Sequence, residues 1–231
     1  MPKAELRWDE TPDQPDAVVL VLHGGQEDSE RETRWSNLAV LRMWPIARSI
    51  ARAGGGRLAV ARLRYAVRGW NGATASPLAD ARQALDDIAA RYPGVPIALV
   101  GHSMGGRVAL RLSGDPRVSG IVGLAPWIER HDGARPHPVL RLLVIHGLDD
   151  RMTSPTASRG TVISLQGRGG LASFVGLKSE KHAMLRRWRA WDQLTAGFLT
   201  RALTGDLPDR PHGPLGELGS RAATEPVVTV V

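Results

Sequence analysis

The chain has 231 residues, enough to bury one sizeable core, and its 42% apolar content argues against disorder throughout. No apolar run reaches the roughly 18 residues of a membrane-spanning helix, and the absence of cysteine excludes disulfides and thiolate metal sites. The net charge of +7 rests on 30 basic residues scattered along the chain, with only three lysines (Lys3, Lys178, Lys181), so an arginine-biased composition explains it more simply than a nucleic-acid surface.

Apolar, β-branched runs alternate with segments of helical periodicity. That pattern predicts an α/β fold, a mostly parallel central sheet flanked by helices on both faces. Residues 17–22 read as a buried strand ending at His23-Gly24-Gly25. Residues 38–53 place Leu38, Leu41, Ile46 and Ile50 at helical spacing before a Gly54-Gly55-Gly56 stop, and Pro45 predicts a kink or two helices. Residues 58–67 alternate apolar and arginine positions as a second strand. Ser76-Pro77 reads as the N-cap and first-turn proline of a helix reaching Tyr92, with Asp80 in its first turn. A short apolar strand at 96–100 leads through a glycine turn into a helix ending near Ser113. Further strands are predicted at 118–125, 140–145 and 171–177, with a helix at 154–166. A last helix over 183–203 is expected to turn Met184, Leu185, Trp188, Trp191, Phe198 and Leu199 mostly to the core. Residues 1–203 thus form one domain. Residues 204–231 are Pro- and Gly-rich and read as a flexible tail, in which 227–231 can dock as a strand.

The chemistry gathers at strand ends. Gly101-His102-Ser103-Met104-Gly105 is a Gly-x-Ser-x-Gly turn between a strand and a helix, tight enough to need small neighbours, and Gly106 adds another. Such a turn lifts the Ser103 hydroxyl above the start of the helix, where the Met104 N–H can hold a developing oxyanion. The Gly25 N–H, after the first apolar strand, offers a second donor, with Gln26 as the alternative. Ile145-His146-Gly147-Leu148-Asp149-Asp150 supplies two candidate acids, of which Asp150 is preferred. His182 follows the last strand and is the candidate base, ahead of His23, His102 and His146 in glycine turns and His131, His137 and His212 in loops or tail. No metal-ligand spacing is present.

The motifs LHGG, GHSMGG, HGLDD and KHAML, in that order across residues 17–203, resemble the α/β-hydrolase superfamily. Residues 62–82 are similar to small bacterial members of the dienelactone-hydrolase-like or lysophospholipase-like type. Dienelactone hydrolases proper use a cysteine nucleophile, so that activity is not expected here. The resemblance implies the α/β-hydrolase fold, with Ser103 as nucleophile, Asp150 as acid and His182 as base. It also implies backbone oxyanion donors at Gly25 and Met104.

The short connection over 128–139 leaves no room for a cap domain, so an open site is expected. Trp70, Asn71 and Trp127, with Gln26 and His102, are candidate pocket residues. The expected function is hydrolysis of a small-molecule carboxylic ester or thioester, without a cofactor, nucleic acid or stable membrane insertion. The alternatives are an acyltransferase or perhydrolase with the same triad, or a non-catalytic binding protein on a hydrolase scaffold. Residues 1–5 lack the apolar segment of a secretory signal, and a cytoplasmic location is expected.

Overall fold

The computed structural model describes residues 2–129, 132, 136–206 and 213–231. Its strands are β1 (Glu5–Glu10), β2 (Ala17–Leu22), β3 (Leu58–Arg64), β4 (Ile97–His102), β5 (Val118–Leu124), β6 (Arg141–Gly147), β7 (Leu171–Leu177) and β8 (Val228–Val230). They form one sheet in the order β1-β3-β2-β4-β5-β6-β7-β8, in which only β1 runs antiparallel to its neighbour. The helices are α1 (Leu38–Leu41), α2 (Met43–Gly54), α3 (Ser76–Arg91), α4 (Met104–Arg111), α5 (Pro155–Gln166), α6 (Trp188–Thr204) and α7 (Gly213–Ala222).

Strand β2 shows how the core is divided. Val18, Leu20 and Leu22 join a cluster with residues of α3, α4 and α5, while Ala17, Val19 and Val21 join one with α2 and α6. Both faces are therefore covered, and the strand reads as an unbroken apolar run. The strand order reverses between β2 and β4. At such a switch point the loops leaving the strands' carboxyl ends diverge and open a crevice.

One expectation resolves and two change. The 38–53 segment is two helices meeting at Arg42, and Pro45 falls in the first turn of α2, where its missing N–H costs nothing. Strand β3 stops at Arg64 and is buried along its whole length, arginines included. The unanticipated β1 covers it. The Asp9 carboxylate takes Arg62 Nε and Nη2 at 2.6 and 2.7 Å, and Arg64 donates to the Thr33 and Lys3 carbonyls at 2.7 and 2.9 Å. The tail, over its described residues 213–231, is ordered into α7 and β8 rather than loose. Helix α7 packs on α6, with Ser220 Oγ donating to the Gly197 carbonyl at 3.2 Å, and β8 pairs parallel with β7. Residues 207–212 of that expectation lie outside the described residues.

Among the described residues no helix is long and apolar enough to cross a membrane. Strand β5 ends at Leu124 and β6 begins at Arg141, so no cap domain intervenes.

Candidate active site

Strand β4 ends at His102, and the chain turns at Ser103 directly into α4. Ser103 has φ 55° and ψ −116°, a strained backbone for a residue with a side chain. Its neighbours impose that strain. The Ser103 N–H donates to Leu124 O at 3.0 Å, and its carbonyl accepts from the Trp127 N–H at 3.0 Å. A side chain at Gly105 would run into the carbonyls of Leu22 and His23, so the first turn of α4 packs backbone to backbone against β2. The Ser103 side chain is half-buried, and its hydroxyl makes no hydrogen bond to any described residue.

Asp149 is exposed, whereas Asp150 turns inward and is buried. Asp150 Oδ2 accepts from His182 Nδ1 at 2.7 Å, from the Thr153 hydroxyl at 2.8 Å and from His146 Nε2 at 3.1 Å. Its Oδ1 accepts from the N–H groups of Met152 and Thr153 at 2.8 and 3.1 Å. Burial alone would raise this carboxyl. The donors, led by His146 and His182, outweigh burial and hold it well below the usual carboxylate range. With Nδ1–H given to this anion, His182 keeps the lone pair of Nε2.

His182 sits in a loop six residues before the first residue of α6, not at the helix head. The buried Glu180 ties the loop down. Its carboxylate accepts from the N–H groups of Lys181 and Arg187 at 2.8 and 2.5 Å and from Trp191 Nε1 at 3.4 Å. Ser179 and Met184 take positive φ values of 56° and 59° on either side. An acidic residue two positions before the histidine was the available sequence signal, but only the fold shows that it points inward. Because the helix starts late, Leu185 and Trp188 are exposed rather than in the core.

Two further histidines support the pair. His146 is fully buried between the Ser158 hydroxyl, 2.8 Å from Nδ1, and Asp150. His102 donates from Nε2 to the His182 carbonyl at 3.0 Å, and their rings lie 4.8 Å apart. The residue preceding Ser103 thus touches the imidazole. Burial, then the charge of His182, pushes His102 down to about 3, so it stays neutral. His102 is a buried tie, not a pocket residue.

The residues that carry the candidate oxyanion donors, Gly25 and Met104, lie against each other. Neither Met104 N–H nor Gly25 N–H donates to a described acceptor, whereas Gln26 N–H is spent on Arg68 O at 2.8 Å. A side chain at Gly25 would collide with the Met104 thioether. His23 braces this loop, donating from Nδ1 to the Gly24 carbonyl at 2.6 Å and accepting the Tyr65 N–H on Nε2 at 3.2 Å. Burial pushes it down to about 4.

The remaining predicted pocket residues divide. Gln26 lines a cavity of about 260 Å³ beside Gly24 and Gly25. Asn71 instead staples loops, accepting the Ser29 N–H at 2.8 Å and donating to Ser76 Oγ at 3.1 Å. Ser76 lies inside α3, not at its N-cap, and Asp80 accepts the Ala66 N–H at 2.8 Å. Trp70 and Trp127 meet edge to face, their ring centres 6.1 Å apart, and the Arg107 guanidinium lies over both, 4.0 and 4.4 Å from those centres. Arg107 pairs with Glu129 and, at 3.1 Å, with the buried Asp132. This stack pins the β5–β6 connection onto α4. His131 and His212 lie outside the described residues.

A mostly parallel sheet carrying Ser103 after β4, Asp150 after β6 and His182 after β7 is an α/β-hydrolase architecture. Residues 13–145, more than half of the chain, match the family described as serine aminopeptidase, S33, and the chain belongs to that family of α/β hydrolases. Asp150 and His182 lie beyond the matched stretch. A similar solved structure is a protein of unknown function from Agrobacterium tumefaciens, 19% identical over 90% of this chain and 95% of that one, with a TM-score of 0.69. Another is a lidless serine hydrolase from Xanthomonas campestris, 20% identical over 87% and 89%, with a TM-score of 0.66. Esterase 2 from Thermogutta terrifontis is 16% identical over 90% and 92%, with a TM-score of 0.68. At these identities the likeness is one of fold. Comparison with curated proteins gives no match.

Proposed function

We propose that the protein hydrolyses carboxylic esters or thioesters through an acyl-enzyme on Ser103. His182 Nε2 takes the Ser103 proton as the hydroxyl oxygen attacks the carbonyl carbon. Asp150 fixes the imidazole tautomer and stabilises the imidazolium that forms. The N–H groups of Met104 and Gly25 receive the oxyanion, each worth on the order of 3 kcal/mol in the transition state. The tetrahedral species collapses as the alcohol or thiol leaves with the proton from His182. Water then repeats the sequence, with His182 again as base, and the acid departs. These steps need only the named residues and water.

The single observation that carries this reading is the buried, ionised Asp150 bonded to His182 Nδ1, tied through the His102–His182 carbonyl bond to the strained turn at Ser103. Esterases among the similar structures, from Thermogutta terrifontis and, with ferulic acid bound, from Butyrivibrio proteoclasticus, support an ester as substrate. The test is turnover of p-nitrophenyl esters and thioesters, with aminoacyl anilides as the contrasting panel. Ser103→Ala is expected to lower ester turnover about 10⁶-fold, to background, while the fold persists. A fluorophosphonate should label Ser103 in the wild type only. Activity within a few-fold of wild type in Ser103→Ala removes the serine from its role. Acyl transfer to added alcohols in preference to water would favour the transferase variant.

A further inference from the structure

Two depressions open on the rim of the site. One is the cavity beside Gly24 and Gly25, bordered also by Leu38. The other, of about 450 Å³, has Leu38, Leu41 and Ile46 on one wall and Met184, Leu185 and Trp188 on the other. Leu38, Leu41, Leu185 and Trp188 are each between 49% and 78% exposed, a local concentration of large apolar side chains in water. Such a patch implies an occupant.

The groove adjoins the site at two points. Leu38 is common to it and to the cavity at the Gly25 N–H, where the substrate carbonyl oxygen would sit. Met184 follows His182 by two residues, and its left-handed backbone, φ 59°, turns the chain there. Trp191, also lining the groove, shares Glu180 with the His182 loop through its indole N–H. A chain attached to the bound carbonyl and running past Leu38 would reach the groove. Its volume falls within the roughly 300–1,000 Å³ typical of small-ligand sites, and its lining is apolar apart from Arg42 and Asp192. A concave slot of this kind fits one flexible chain better than a flat protein or lipid surface.

We infer that the groove between α1–α2 and the start of α6 binds the acyl chain of the substrate, making the protein selective for medium-length aliphatic acyl esters over acetates. The inference rests on the serine-hydrolase reading and names its substrate class. Because the acyl group stays attached through both half-reactions, its burial favours both transition states.

The test varies acyl length at a fixed p-nitrophenyl leaving group, and alcohol length at a fixed acetyl group. In the wild type kcat/KM should climb about fourfold per added methylene from acetate to octanoate, with little trend in the alcohol series. Leu41→Asp and Trp188→Ala, at exposed positions that leave the core intact, should each cut the octanoate-to-acetate ratio by tenfold or more. A flat acyl series, a trend only in the alcohol series, or an unchanged ratio in both variants overturns the groove assignment while ester hydrolysis itself stands. An absence of hydrolysis of every ester together with unlabelled Ser103 instead removes the hydrolase reading. The same variants are run in sedimentation and with phosphatidylglycerol vesicles. A change in self-association or vesicle binding without a change in the ratio assigns the patch to another surface and also overturns the proposal.

Discussion

The two halves of the site are made of different materials. Around Ser103 and Gly25 the geometry comes from backbone shape: a strained φ, carbonyls of β2 against α4, and N–H groups left free by tight turns. Around Asp150 and His182 it comes from side chains, with His146, Thr153 and Glu180 supplying or accepting the bonds. A steric fit has no intermediate settings. A hydrogen-bond network can lose one member and keep most of its shape. The first half should therefore fail by unfolding and the second by losing rate.

The sharpest way to break that contrast is Gly105→Val, whose side chain has no space between Leu22 and His23. We expect a loss above about 4 kcal/mol, or no folded protein, in urea unfolding; a stable, active variant would refute the steric account. Next, Asp150→Asn should lower kcat about 10³- to 10⁴-fold with an unchanged circular dichroism spectrum. A loss below tenfold would mean that Asp150 does not orient His182.

Acid should strain the backbone-built half. His23 and His102 are buried neutral, with folded values of about 4 and about 3. Below the unfolded value near 6.5 the unfolded chain binds protons that the folded chain refuses. Their stabilising contribution is thus complete above about pH 6.5 and falls with pH toward the folded values, by about 1.4 kcal/mol per unit for each group. Unfolding free energies from urea titrations at pH 6.5 and 5 should differ by about 3 kcal/mol, and equal values would mean that an imidazole is accessible. A milder effect is expected for Glu180→Gln, about tenfold in kcat with KM little altered, since the amide still accepts the loop N–H groups. Glu180→Ala should cost about 2 kcal/mol more in stability; equal behaviour of the two variants would deny the carboxylate its clamping role. Smallest of all, Asp149→Asn should stay within about twofold of wild type, because the side chain is exposed.

The contrast also explains what the sequence disclosed. Backbone constraints leave a local signature, since only glycines fit, and so HGG and GHSMGG could be read without coordinates. The two ends of the Asp150–His182 bond were also visible, each following an apolar strand. Its supports were not. Glu180 looks like any surface acid until Arg187 and Trp191 fold back onto it, and His146 looks like part of a glycine turn until Ser158 arrives from α5. Trp70 and Trp127 stood at the expected rim, but Arg107 claims both rings. Strand β1 and the β8 edge were missed or underweighted for a related reason. Their pairing partners are distant in the chain, and short, polar or proline-flanked segments carry little periodicity.

The borders of the sheet bear on how the molecule behaves when concentrated. An unpaired strand is a template on which other chains can add and start an aggregate. Here one margin is β1, with outward Glu5, Arg7 and Glu10 and an irregularity in its register between Trp8 and Glu10. The opposite margin, β8, is only three residues long. Charge and a bulge guard one side and brevity the other, the devices that keep a sheet's edges from pairing with other chains.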